Sequence, residues 1–211
     1  AGALGCKAQE IIFTSGATES SNLAIRGAVA AYGRKRKKIV ASAVEHASVK
    51  ATLSYLETLG FTVVTVPPAA DGEYHTEDFL REIDSSVCLV SMMLVNNENG
   101  CRLPVENVFR MVKRNDPEII THCDAVQGFL KIPFKPRTLC ADLVSVSGHK
   151  VHALKGVGAL YIRHGVRVKP ILCGSEQERG LRPGTESVPL IASFGAATEK
   201  LSLNIEERLE R

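Results

Sequence analysis

Four short stretches hold residues whose types and spacing could do chemistry. In Ser147-Gly148-His149-Lys150, a lysine stands behind a small-residue turn. Lysines ordinarily lie on solvated faces, but a partly desolvated one loses basicity and can form an imine with an aldehyde. In Asp124-Ala125-Val126-Gln127, a carboxylate precedes an amide. Such a carboxylate either caps a turn or keeps a proton on an aromatic ring nitrogen. Glu45-His46 offers an imidazole, a residue that is more often structural than catalytic when it stands alone. Ser15-Gly16-Ala17-Thr18 offers small residues that let a backbone approach an anion. Free N–H groups and the positive dipole end at a helix start favour phosphate. The same stretch also reads as a helix cap, with Ser15 or Thr18 as the capping side chain. It is not a P-loop, because the G-K-[ST] element is missing.

The elements around these stretches alternate. Strands are expected at Glu10 to Thr14, Ile39 to Ala43, Phe61 to Val66, Val87 to Val95, Glu118 to Cys123, Asp142 to Ser147 and Gly158 to Arg163. The run VCLVSMMLV is apolar nearly throughout, as a strand covered on both faces requires. Helices are expected at Thr18 to Tyr32, stopped by Gly33, and at Ser48 to Leu59, stopped by Gly60. Others run from Thr76, as its cap, to Ile83, and from a first turn at Pro104 to about Arg114. The tail from Pro189 is helical and becomes strongly charged toward Arg211. The basic run Arg34 to Lys38 reads as a solvated segment near a helix end. Alternation over most of the length predicts a three-layer α/β/α sandwich with a mainly parallel sheet. Ligands of such sheets sit at the carboxyl ends of the strands, where all four stretches fall.

Composition excludes several classes. The chain has 211 residues, of which 45% are hydrophobic and 23% charged, enough for one large domain with its own core. A net charge of +3 is too small to argue for nucleic acid or an anionic membrane surface. No apolar run approaches the length of a membrane span, and no signal-peptide pattern opens the sequence. The six cysteines form no C-x-x-C pair, so zinc and thioredoxin-type readings lack support, and scattered thiols suit a reducing cytoplasm.

Taken in order, the set comprises a phosphate cradle, an imidazole, an acid, an amide and a lysine. Pyridoxal 5′-phosphate (PLP) needs such a set, having a phosphate to anchor, a ring to stack, a nitrogen to protonate and an aldehyde to hold. The chain resembles the class V aminotransferase superfamily of fold type I PLP enzymes, and within it the NifS-like and IscS-like cysteine desulfurases. The resemblance rests on FTSGATESSNLAIRG (Phe13 to Gly27), VEHASV (Val44 to Val49), VNNENG (Val95 to Gly100), DAVQ, SGHK, KGVGALYIR (Lys155 to Arg163) and QERGLRPGTES (Gln177 to Ser187). These segments keep the family's order across nearly the whole chain.

The resemblance implies roles for individual residues. Lys150 would hold PLP as a Schiff base, and Asp124 would pair with the ring nitrogen. His46 would stack on the ring and shuttle protons. Gln127 would bond the phenolic oxygen, with Asn97 near the substrate side. Ala17, Thr18, Ser147 and His149 would hold the phosphate. Thr185 would reach the phosphate of a partner subunit, which implies a homodimer. The implied reaction converts L-cysteine to L-alanine and passes sulfur to an enzyme cysteine, then to an acceptor such as an iron–sulfur scaffold protein. A selenocysteine lyase, another class V lyase or aminotransferase, and a non-catalytic domain are the alternatives. By the same resemblance, residues 1–211 form the PLP-binding large domain. The family's N-terminal segment, and a small domain bearing the persulfide cysteine and the substrate-gripping arginine, are expected outside it. Cys173 is expected to be structural, and apolar surface facing those segments is expected to lie open. Two departures stand out: His152-Ala153-Leu154 where the family has Tyr-Gly-Pro, and Ser175-Glu176 in a glycine-rich run.

Overall fold

The computed structural model describes residues 1–203. The charged end of the tail lies outside the described residues. Seven strands form one sheet: β1 (Ile11–Thr14), β2 (Lys38–Ser42), β3 (Thr62–Val66), β4 (Val87–Met93), β5 (Ile120–Asp124), β6 (Leu143–Ser147) and β7 (Gly158–Ile162). Their order is β1-β7-β6-β5-β4-β2-β3. Pairing is parallel from β3 through β6 and antiparallel on both sides of β7. The carboxyl ends of β1 to β6 therefore share one edge of the sheet, which β7 enters at Gly158.

Five helices cover the faces: α1 (Ala17–Tyr32), α2 (Ala47–Thr58), α3 (Thr76–Arg81), α4 (Val105–Asn115) and α5 (Val188–Ser202). Neighbouring strand residues point to opposite sides, and the core divides accordingly. Ile39, Ala41, Leu89, Leu143 and Leu160 pack with Leu23, Ala28 and Leu53 of α1 and α2. Val40, Val90, Val144 and Tyr161 pack with Phe79, Phe109 and Phe194 of α3, α4 and α5. This is the three-layer sandwich expected from the alternation of elements. In α4 the stripe Val105, Val108, Phe109 and Val112 is fully buried, at the spacing of one helical face.

Polar groups inside the sheet are paired. His122 lies between Ser91 and Ser145 at 2.9 and 3.0 Å, one bond to each neighbouring strand. Burial pushes its imidazole down to about 3, so it is neutral. At the opposite edge from the strand carboxyl ends, Asp142 pairs with Lys113 and, at 2.6 Å, with Arg163.

Local differences from expectation have local causes. Glu10 leaves β1 because its carboxylate turns back to accept from the amides of Lys7 and His164. Arg36 and Lys38 are not simply solvated. Arg36 bonds Asp116 and Glu118, and Lys38 bonds Glu82 and Asp84 as it starts β2. Neither Ser15 nor Thr18 caps α1; the cap is Gly16, with no side-chain bond. Thr76 is not the cap of α3 either, a place taken by His75, and Pro104 is the cap of α4 rather than part of its first turn.

The outer edge of β1 is occupied by side chains. Glu178 accepts from the Phe13 amide at 2.9 Å, and Arg179 donates to the Ile11 carbonyl at 3.3 Å. Both residues have positive φ, 46° and 59°. An apolar hollow of about 430 Å³ lies between residues 1–4, Phe129 and α5.

Phe109→Ala is expected to lower the unfolding free energy by about 3–5 kcal/mol in a urea titration, because it empties a fully buried site. Arg110→Ala, which removes only an exposed pair with Glu106, should change it by less than about 0.5 kcal/mol.

Candidate functional site

A cavity of about 520 Å³ opens at the strand carboxyl ends. Each wall is delivered by the segment that leaves one strand. After β1 come Ser15 to Glu19, and after β2 comes His46. Met93, Val95 and Asn97 follow from β4, and Asp124, Val126 and Gln127 from β5. Ser147, His149 and Lys150 follow β6, and Lys155 and Gly156 precede β7. Nine of the residues expected from the sequence (Ala17, Thr18, His46, Asn97, Asp124, Gln127, Ser147, His149 and Lys150) line this one cavity. Thr185 does not; it lies exposed on the segment before α5.

The start of α1 is shaped by close packing. Gly16 has φ 155° and ψ −179°, a combination that L side chains avoid. A Cβ at Gly158 would stand 2.7 Å from the Gly16 backbone, so β7 can press against the turn only without a side chain there. Glu19 holds this turn by accepting from the Ser15 amide at 2.7 Å, and Arg182 donates to the same carboxylate at 2.9 Å. The first-turn amides of Ala17 and Thr18 thus stand at the cavity wall with no side-chain cap.

His46 caps α2 through Nδ1, which accepts from the Ser48 amide at 3.2 Å. Its Nε2 has no partner among the described residues. Asp124 ends β5, 4% exposed, and one carboxylate oxygen accepts from the Val126 amide at 3.0 Å. Burial raises its pKa, against the pull of that amide and of His46. Ser147 Oγ lies 2.9 Å from His149 Nδ1. Burial, then the charges of Lys150 and Lys155, push the His149 imidazole down. Lys150 is exposed to the cavity in a short 3-10 turn, and its ammonium makes no hydrogen bond or ion pair among the described residues. Asn97 rides on a turn pinned by Asn96, whose Oδ1 accepts from Glu98 and Asn99 and whose Nδ2 donates to the Val44 carbonyl.

Glu45 was not singled out by its type or spacing. It is 2% exposed, accepts from Ser42 Oγ and the Met93 amide, and so ties the end of β2 to β4. Burial, with Asp124 adding to it, pushes its carboxyl up to about 8. Asn96, Glu19 and Arg182 were likewise missed. The only signal for Glu45 was its place beside His46 at a strand end.

The departures from the resembled pattern are accommodated. His152 adopts φ 62°, and its amide donates to the Gly148 carbonyl. Leu154 supplies an N–H that proline would lack, and this donates to Ser193 Oγ of α5 at 3.3 Å. Glu176 is exposed and does not line the cavity. Cys173, expected to be structural, has an exposed side chain that joins neither core cluster. No group of metal-ligating side chains and no helix long and apolar enough to cross a membrane occurs among the described residues.

A doubly covered, mainly parallel sheet with a lysine, a buried carboxylate and an uncapped helix start at its carboxyl edge defines a class of α/β enzyme domain. The chain belongs to the aminotransferase class-V family, which matches residues 1–210. It is 41% identical over 208 residues to a cysteine desulfurase of Nostoc sp., covering 99% of this chain and 51% of that protein. A solved NifS-like protein superposes with a TM-score of 0.93 at 41% identity, over 98% of this chain and 56% of that one. A structure of SspA in complex with cysteine gives 0.89 at 37% identity, over 94% and 57%. The chain thus spans about half the length of the relatives it matches.

The raised carboxyl of Glu45 makes stability depend on pH. A folded pKa of about 8, above the ordinary value of 4.5, gives stability that is complete below 4.5 and lost as pH rises through 8. Glu45→Gln removes this loss. Urea unfolding at pH 5 and pH 8.5 should therefore show a smaller decline in the variant than in the unsubstituted chain.

Proposed function

We propose that the cavity holds pyridoxal 5′-phosphate and that this chain is the cofactor-binding domain of a cysteine desulfurase. The whole enzyme would convert L-cysteine to L-alanine and pass the sulfur to an enzyme cysteine as a persulfide. One observation carries the reading: a lysine, a buried carboxylate, an imidazole, an amide and an uncapped helix start converge on one cavity. The names of the relatives support the substrate.

The residues fit the cofactor by the chemistry of each donor. Asp124 is a buried carboxylate with one oxygen committed and a raised pKa, so a cationic ring nitrogen would supply a charged hydrogen-bond donor for the other oxygen. When bound, PLP supplies an electron sink for charge developing at the substrate's α-carbon. Asp124 would keep the proton on the ring nitrogen. Lys150, with its ammonium uncommitted, would hold the aldehyde carbon and, once released, move a proton at the α-carbon. His46 would stack on the ring and, with Nδ1 tied to Ser48, offer Nε2 for proton transfer. Gln127 would donate to the phenolic oxygen, with Asn97 on the substrate side. The amides of Ala17 and Thr18, the Thr18 and Ser147 hydroxyls and His149 would hold the phosphate.

Thr185 would act on a second subunit. Arg182 anchors its segment to Glu19 at the cradle of its own subunit, while Thr185 itself is exposed, as a contact to a partner's phosphate in a homodimer requires. All six thiols are free, which supports a reducing compartment such as the cytoplasm. An acceptor protein of the iron–sulfur scaffold type would take the sulfur onward.

The test is an absorbance spectrum of the chain with added PLP. A band near the visible edge, bleached by borohydride and absent from Lys150→Ala, is expected; no such band would overturn the cofactor assignment. Alanine formation from L-cysteine, measured in the protein that carries this chain, reads the activity. An intact band without alanine would shift the assignment to another class V reaction.

A further inference from the structure

The turn that follows Asp124 is more constrained than a connection needs to be. The amides of Gly128 and Phe129 donate to the Ala125 carbonyl, and those of Lys131 and Ile132 donate to the Gly128 carbonyl. A Cβ at Gly128 would meet Leu94 at 2.7 Å, so the turn is packed tightly against the segment after β4. Leu130, a buried residue, is held at φ 57°, a conformation that a branched side chain adopts only when its surroundings enforce it. The product of this coiling is that Lys131 lies over Gln127, with its ammonium donating to Gln127 Oε1 at 2.7 Å.

That contact settles the orientation of an amide. An ammonium has three donors and no acceptor, so only the oxygen end of the Gln127 amide can face Lys131. The nitrogen end, with its two donors, is left for the cavity. Gln127 is a cavity wall, and the charges that face the same space are Glu19, His46, Asp124, His149, Lys150 and Lys155. The Lys131 ammonium is also close enough to Lys150 to be repelled by it; burial and that repulsion lower its pKa.

We propose that Lys131 is a positioning residue: by holding Gln127 Oε1, it makes Gln127 present a donor rather than an acceptor to the phenolic oxygen of the bound cofactor. The proposal rests on the assignment of PLP to this cavity. A donor there stabilises negative charge on the phenolic oxygen, whereas a flipped amide would set oxygen against oxygen. Lys131 therefore acts through Gln127 and touches no reacting atom.

The test is a double-mutant cycle read by PLP titration, following the visible band, in the chain and in Lys131→Met, Gln127→Ala and the double variant. Thermal melts without cofactor check that each variant folds; Lys131 is exposed and should tolerate the change. Lys131→Met is expected to weaken PLP binding roughly three- to tenfold, the worth of one hydrogen bond. It should also raise the pH midpoint of the band, because a phenolic oxygen without its donor holds a neighbouring proton more tightly. Lys131→Arg, which keeps a charged donor, should stay near the unsubstituted chain. In the Gln127→Ala background, Lys131→Met should add almost nothing. Binding and midpoint unchanged in Lys131→Met would overturn the proposal. A full effect of Lys131→Met without Gln127 would overturn it too, by showing that the charge acts directly. If the unsubstituted chain itself shows no band, the cofactor assignment falls and this proposal with it.

Discussion

Parallel strands cannot be joined by tight turns, so each must be followed by a crossover that carries the chain back beneath the sheet. From β2 through β6 that constraint brings every strand to its end at the same edge. The residues just past each end then become neighbours although they are far apart in sequence. His46, Asn97, Asp124 and Lys150 meet in this way. The antiparallel β7 closes the array from the other direction, and Gly158 lets it lie against Gly16 without a side chain between them. The geometry of the cavity is thus a property of the sheet, and the loops supply the chemistry.

The same edge concentrates groups that are costly to bury. Glu45 and Asp124 both lie inside it, and both are shifted toward the neutral form. Glu45 spends its oxygen on Ser42 and the Met93 amide and so serves the scaffold. Asp124 keeps capacity in reserve at the cavity wall. Two carboxyls of similar burial are therefore given different work by the bonds around them. His122, one strand position below Cys123, shows the contrast. Its polar atoms are fully used by Ser91 and Ser145, and it has nothing left to offer a ligand.

Much of this was legible in the sequence because the relevant signals are local. Lys150, Asp124 and Gly16 announce themselves by standing between a strand pattern and a turn. Helix and strand existence followed from periodicity, with ends displaced by a residue or two where side chains intervened, as at Glu10. Serine and threonine beside a helix start are only candidate caps; at α1 the cap is Gly16, and the Glu19 carboxylate reaches back to the Ser15 amide. What could not be read was contact between distant segments. The bond from Arg182 to Glu19 joins positions 163 residues apart, and nothing in either neighbourhood points to the other. Glu45 is ordinary by type, and only the sheet reveals that it is buried.

The edge of β1 bears on the behaviour of the protein in a crowded solution. An open strand edge is a template on which a second chain can add itself, the first step toward fibrous aggregates. Here two of the groups that an incoming strand would use, the Phe13 amide and the Ile11 carbonyl, are already taken by a carboxylate and a guanidinium. Glu178 and Arg179 imitate the acceptor and donor of a neighbouring backbone, yet being charged side chains they cannot propagate the ladder. The left-handed backbone at both positions is the cost of aiming them side by side. The sheet on that flank ends in a plug, and a further strand finds those two bonds already made.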